Sequence, residues 1–285
     1  MDKRLQTFEA HRPLLFSIAY RMLGSVMEAE DAVQESYLRY MATDADAIQS
    51  PKAFLSTVVT RLCLDQLKSA RVKREEYFGP WLPEPLVTED APDELLARHE
   101  SISMAFLVLL ETLSPVERAV FLLREVFDYD YPAIAQIVDK SEANCRQLYS
   151  RAKKHVHSGR PRFAPAPQEQ QQLVSQLFSA MQRGDSDTFA ALLAEDVELR
   201  SDGGGKAAAA THPLHGRATV MRFLLGLYNR RPPNSTVELT EVNGGPAWVV
   251  RVDGAVDNVM SFEPGAQGIS AIRIVRNPEK LRHLQ

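Results

Sequence analysis

The chain of 285 residues is 45% hydrophobic and 25% charged, with a formal net charge of −4. That mixture excludes global disorder, a collagen-like repeat and a membrane-embedded chain, and the length predicts about two domains with ordinary hydrophobic cores. The longest uninterrupted apolar run, Met104 to Leu110, has seven residues, against about 20 for a spanning helix. Glu9, His11 and Arg12 precede the first apolar stretch, where a signal peptide would not carry them. The expectation is a cytoplasmic protein without membrane contact. Cys63 and Cys145 lie 82 positions apart with no metal-ligand spacing, which points to two buried, reduced thiols and no metal site.

The average charge conceals segregation. Residues 140–162 carry seven Lys/Arg against the single acid Glu142, whereas residues 84–100 carry six acids against Arg98. A basic face is attracted to phosphate, and an acidic segment can occupy such a face; solvated helix surfaces account for the same charges.

Helical spacing comes first. Leu14, Leu15, Ile18, Ala19, Met22 and Leu23 form one stripe, and Ala29, Ala32, Val33, Tyr37, Leu38 and Met41 another. A third helix starts at the N-cap Ser50 with Pro51 in the first helical position, and buries Phe54, Leu55, Val58, Val59, Leu62 and Leu67. Four prolines and several acids make residues 79–93 a linker. Beyond it, Ser114-Pro115-Val116-Glu117 reads as a capping box opening a helix through Val126. A short helix, Ala133 to Val138, and a turn at Asp139-Lys140 precede the N-cap Ser141 of a helix that buries Cys145, Leu148, Tyr149, Ala152 and Val156. Its opposite face presents Asn144, Arg146, Gln147, Ser150, Arg151 and Lys154. Residues 158–167 form a second linker. The remainder reads as α+β: helices at Leu173–Met181, Phe189–Leu193 and Ala218–Tyr228, and strands at Ala247–Val252, Val256–Phe262 and Ser270–Val275. With 12 Lys/Arg and 13 Asp/Glu from residue 168 onward, that part is nearly neutral.

Three constellations could carry function. Residues 132–156 have the form of a helix-turn-helix, whose second helix enters the major groove, where Arg bonds guanine and Asn or Gln bonds adenine; an ordinary helical hairpin is the plainer account. Asp31, Gln34 and Glu35 share one helix face, suited to docking a basic protein surface or simply to facing water. Arg61, Lys68, Arg71, Lys73 and Arg74 fit a phosphate backbone or, equally, favourable cations near a helix C-terminus.

These residues resemble the extracytoplasmic-function sigma factors, RNA polymerase initiation subunits with sigma regions two and four only. Ala19-Tyr20-Arg21-Met22-Leu23-Gly24 followed by residues 29–35, Ala-Glu-Asp-Ala-Val-Gln-Glu, is similar to the core-binding segment of region two. Residues 117–127 and 141–148 are similar to region four. Trp81-Leu82-Pro83-Glu84-Pro85, Asp202-Gly203-Gly204-Gly205-Lys206 and Asn277-Pro278-Glu279-Lys280-Leu281 resemble signatures of members with a C-terminal SnoaL-like domain. The fold this implies is multidomain: two all-α helical modules, region two at 1–78 and helix-turn-helix region four at 94–157, then an α+β SnoaL-like cone at 168–285.

The resemblance implies that Asp31, Gln34 and Glu35 dock on core RNA polymerase, that the third helix from Arg61 to Arg74 engages the promoter's minus-ten element, and that Asn144, Arg146, Gln147, Arg151 and Lys154 contact the minus-thirty-five element. The three signature motifs become a regulatory contact between domains, no separate anti-sigma factor is obligatory, and an unidentified small ligand is a candidate input. Between Thr43 and Arg74 the only aromatic residue is Phe54, so stacking supplies little of the cost of DNA opening and promoter dependence should be stringent. Tyr131-Pro132-Ala133-Ile134-Ala135 departs from the family in lacking acids before the Ile-Ala pair. Trp81, fixed among prolines, invites burial on the C-terminal domain.

SnoaL-like cones include enzymes. Asp196, Glu198, Asp202, His212 and His215 are candidate acid-base groups, but no spacing sets a base beside a reactive centre, so the reading is no catalytic residue and no cofactor. Gly203 to Gly205 matches no phosphate-binding motif and reads as a flexible loop. The competing reading of the whole is a stand-alone helix-turn-helix regulator with a ligand-sensing cone.

Overall fold

The computed structural model describes residues 2–89, 102–159 and 166–285, with the side chains at 70–75 and 159 outside that description. These residues form two compact bodies. The first is helical. Asp2 caps α1 (Lys3–Leu23), and Gly24, in the left-handed region at φ 67°, ends it; Ser25 at once caps α2 (Val26–Ala42). Ser50 opens α3 (Pro51–Glu75) by accepting from the Ala53 N–H at 3.3 Å. The three helices meet through the expected stripes, with Leu15, Ile18, Leu23, Ala29, Leu55 and Val59 fully buried. Burying each of the Leu, Ile and Val side chains among them contributes about 1.5–3 kcal/mol.

The same body continues with α4 (Met104–Leu110) from Phe106 onward, α5 (Pro115–Glu125), α6 (Tyr131–Val138) and α7 (Glu142–Gly159). The capping box at Ser114 and Glu117 forms as expected. Helix α6 starts two residues earlier than its apolar run suggests, because the Asp130 carboxylate accepts from the Ala133 N–H at 2.9 Å. The two helical modules are joined by polar contacts. Arg118, 3% exposed, donates to the Met22 carbonyl at the end of α1 (2.6 Å) and to Glu111 (2.8 Å), and burial pushes its pKa down to about 9. The Tyr129 hydroxyl donates to Ser56 at 2.7 Å.

The second body holds residues 77–89 and 166–285 together with 103–105. Helices α8 (Pro167–Arg183), α9 (Ser186–Ala191) and α10 (Arg217–Asn229) accompany a six-stranded sheet ordered β2-β1-β6-β5-β4-β3. The strands are β1 (Leu193–Asp202), β2 (Leu214–His215), β3 (Ser235–Val242), β4 (Gly245–Val252), β5 (Ala255–Gly265) and β6 (Gly268–Val275). Only β1 and β6 run parallel. Two expectations are corrected. The helix expected at Phe189–Leu193 ends at Ala191, and Leu193 begins a strand. Strands β1, β2 and β3 were not expected: charges obscured the period of two in β1 and β3, and β2 is only two residues long.

That alternation positions the site. Val197 and Leu199 join Trp248, Phe262, Ile272 and Leu177 in one core cluster, where Trp248 lies edge-on to Phe178 and Phe262 with ring centroids 5.2 and 4.5 Å away. Glu198, Arg200 and Asp202 consequently project from the other face of the sheet. A short 3₁₀ turn, Pro278–Leu284, follows β6 and is capped by the Asn277 side chain.

Candidate functional site

The helix-turn-helix is built as its sequence suggests. Asp139 makes the turn in the left-handed region at φ 53°, and Ser141 accepts from the Asn144 N–H at 3.3 Å to start α7. Cys145, Leu148, Ala152 and Val156 are buried; Arg146, Gln147, Arg151 and Lys154 are exposed and Asn144 is half-buried. Tyr149 is half-buried rather than buried, because its hydroxyl donates to Glu125 of α5, a partner it shares with Lys153. Arg146 lies with its guanidinium carbon 4.2 Å from the centroid of the Tyr131 ring, an arrangement sequence spacing did not reveal because the two residues sit on different helices. Arg151 approaches Glu117 at 3.5 Å.

On α2, Asp31 and Gln34 are exposed, and Glu35 is half-exposed and paired with Arg39 at 2.9 Å. Leu38, one turn further on, is 55% exposed. The face is thus acidic with an apolar end. On α3, Lys68 pairs with Asp65 at 2.9 Å, while the side chains of Arg71, Lys73 and Arg74 lie outside the described residues. Arg61 is occupied: its Nε and Nη2 donate to the carbonyls of Ile137 (3.0 Å) and Gln136 (2.8 Å) in the last turn of α6, where carbonyls lack intrahelical partners.

The three signature motifs meet around Asp202, which is fully buried. One carboxylate oxygen accepts from the Tyr77 hydroxyl at 2.6 Å, and the other accepts from the Leu82 N–H at 2.8 Å and the Lys280 ammonium at 2.7 Å. Lys280 also donates to the Leu82 carbonyl, and its Nζ stands 4.0 Å from the Trp81 ring centroid and 5.0 Å from that of Tyr77. Tyr77 in turn accepts from Asn277 at 2.9 Å, and burial beside the Asp202 carboxylate pushes its phenol pKa up. Leu82, Pro83, Glu84, Pro85 and Leu281 are buried, and Trp81 is half-buried. His283 bonds the Pro85 carbonyl at 2.7 Å.

The glycine run is an ordered turn, not a loose loop. Gly204 and Gly205 hold φ of 57° and 71°, and a Cβ on Gly204 would stand 2.3 Å from Asn277 Nδ2 and 2.8 Å from the Tyr77 hydroxyl. Only glycine permits both the angle and the approach. Lys206 then pairs with Glu279. Downstream, Leu86 and Asn243 exchange hydrogen bonds of 3.1 and 2.8 Å, Val87 bridges to Val242, and the Thr88 N–H donates to the Glu241 carbonyl at 3.0 Å. Residues 77–89 are therefore strapped along this body, their last residues pairing with the end of the β3–β4 hairpin.

The acid-base candidates form no single cluster among the described residues, although Glu198 and His215 face each other across β1 and β2. Glu198 is paired with Arg200 at 2.7 Å, His212 bonds its neighbour Thr211, Asp196 is exposed, and Asp202 is the centre of the strap. His215, itself exposed, lies 3.9 Å from Glu198. Among the described residues no cluster of His, Cys, Asp or Glu could hold a metal, and no helix is long and apolar enough to cross a membrane.

Comparisons with known proteins agree with this layout. Sigma-70 region 2 matches residues 7–72, Sigma-70 region 4 matches 103–156 and the SnoaL-like domain matches 174–276. The ECF RNA polymerase sigma factor SigJ of Mycobacterium tuberculosis is 40% identical, over 96% of this chain and 91% of its own. The probable ECF RNA polymerase sigma factor SigI of the same organism is 28% identical over 98% and 94%. The crystal structure of the Mycobacterium tuberculosis extracytoplasmic function sigma factor SigJ superposes with a TM-score of 0.80 at 36% identity, covering 98% of both chains.

Proposed function

The chain belongs to the extracytoplasmic-function RNA polymerase sigma factors, and on that premise we propose that its C-terminal body regulates its own promoter activity through the segment that joins the two helical modules. As a sigma factor it directs RNA polymerase to promoters and into initiation, and its C-terminal part is a SnoaL-like domain. The finer assignment has Asp31, Gln34 and Glu35 docking on a core polymerase subunit, with exposed Leu38 adding apolar contact to the acidic patch. Region four reads the upstream element with Asn144, Arg146, Gln147 and Arg151, and Lys154 holds phosphate. Lys68, Arg71, Lys73 and Arg74 take phosphates at the minus-ten element, and Arg61 joins them once it leaves the end of α6. The protein works in the cytoplasm, needs no separate anti-sigma factor and carries out no catalysis of its own.

One observation carries the regulatory reading: buried Asp202 is bonded at once by Tyr77, Leu82 and Lys280. Breaking one partner of a buried ion pair costs about 3–5 kcal/mol, enough to make attachment of residues 77–89 a two-state element. The test is run-off transcription with purified core polymerase, comparing the intact chain with Asp202→Asn and with chains ending at Arg276 and at Arg162. A change in transcript level shared by Asp202→Asn and the Arg276 truncation supports control through the strap. Equal transcription from all four chains rules it out.

A further inference from the structure

We propose that Tyr131, which the sequence gives no DNA contact, is a positioning residue for promoter specificity: its ring holds the Arg146 guanidinium in the orientation that reads a guanine in the upstream element. This rests on the reading that α7 is the base-contacting helix. Arg146 sits in the second turn of α7 with its side chain 58% exposed, its guanidinium carbon 4.2 Å from the Tyr131 centroid and its Nη2 3.5 Å from Glu142. A guanidinium is planar, and its N–H donors lie in the plane. A guanidinium seated over a ring by its face keeps its N–H edge for hydrogen bonds; here Nη2 is turned toward Glu142 on the same helix, a contact it exchanges for guanine O6 and N7 on binding. An exposed arginine without such a support would have to give up rotamer freedom on binding.

The support is itself fixed. Asp130 caps α6 at the residue before Tyr131. The Tyr131 ring lies edge-on to Tyr149 at 6.2 Å and 76°. Tyr149 is anchored by its hydroxyl to Glu125 of α5, with Lys153 3.0 Å from the same hydroxyl. Arg124, 5.2 Å from the Tyr131 centroid, donates to the Tyr129 carbonyl at 2.9 Å and so fixes the chain leading into α6. Arg146 is thus oriented from three helices, α5, α6 and α7, whereas exposed Gln147 and Lys154 beside it on α7 have no comparable aromatic support among the contacts described.

The experiment selects bound duplexes with holoenzyme, reconstituted from core polymerase and the full chain, from promoter DNA randomised across the upstream element. The wild type should prefer guanine at one position, and Arg146→Ala should erase that preference. Tyr131→Leu should weaken the same preference about tenfold while leaving the other positions and the salt dependence of binding unchanged, and Tyr131→Phe, which keeps the ring, should restore it. Tyr131→Leu in the Arg146→Ala background should add nothing. A uniform loss of affinity across all sequences would make Tyr131 merely structural, and an unaltered preference would also overturn the assignment. A wild type that selects no sequence would overturn the promoter reading itself, and this assignment with it.

Discussion

Arg61 and Ile137, 76 positions apart, are joined by a 3.0 Å hydrogen bond from a guanidinium to a carbonyl at the end of a helix. The bond ties the proposed minus-ten helix to the first helix of the helix-turn-helix, and Arg61 cannot make it and hold a phosphate through the same donors. The Tyr129–Ser56 bond lies in the same junction and uses no residue assigned to DNA. Tyr129→Phe removes one part-buried hydrogen bond, about 1 kcal/mol or roughly fivefold in an equilibrium. It should therefore raise binding of an upstream-element duplex by the free protein by a factor of that order. Unchanged affinity in fluorescence anisotropy would show that the junction does not compete with DNA.

The strap should respond to either half of its ion pair. Lys280→Met leaves the buried Asp202 carboxylate without its cation and removes the ammonium that faces the Trp81 ring. The emission of Trp81, isolated as the difference from a Trp81→Phe chain so that Trp248 cancels, should shift to the red, and protease sensitivity within residues 77–89 should rise at least tenfold. A spectrum and cleavage rate equal to the wild type would mean that the strap is held by its other contacts alone.

How much of this was legible depended on the range of the interactions. The helical half could be read because its signals are local: Ser50, Ser114 and Ser141 each sit at a helix start, and the stripes around Leu15 and Leu55 repeat at helical spacing. The C-terminal strands were harder. Val197 and Leu199 alternate with Glu198 and Arg200, and Asn243-Gly244 is a strong hairpin signal, yet the charges of β1 drew it toward loop and acid-base chemistry. The motifs around Trp81, Asp202 and Lys280 were visible as separate strings, but a bond spanning 120 positions, from Leu82 to Asp202, follows from topology rather than from neighbours. The same holds for Arg61, which looked free for DNA because nothing in its own helix indicates α6.

Gly204 and Gly254 separate steric contact from backbone strain. Both have positive φ, 57° and 84°, but a Cβ at 254 meets nothing within 4 Å whereas one at 204 strikes Asn277 and the Tyr77 hydroxyl. Gly254→Ala should cost only its backbone strain, about 1 kcal/mol. Gly204→Ala should cost about 2–3 kcal/mol and also release Tyr77 from Asp202. Thermal unfolding compares the two. Equal losses would mean that Asn277 and Tyr77 move aside without consequence.

Acid should loosen α7 through Glu125. Burial raises the pKa of this carboxyl, but hydrogen bonds from Tyr149 and Lys153, with the charge of Lys153, outweigh it and hold the group below its ordinary 4.5. A carboxylate whose folded pKa is depressed adds stability that is fully present above the unfolded pKa and is lost as pH falls through the folded one. The stability difference between the wild type and Glu125→Gln should therefore be constant from pH 7 down to about 5 and shrink below about 4.5. Denaturant unfolding at a series of pH values measures it directly. A difference that stays constant to pH 3 would mean that Glu125 holds Tyr149 no better charged than neutral, and would remove the electrostatic half of the anchor beneath Tyr131 and Arg146.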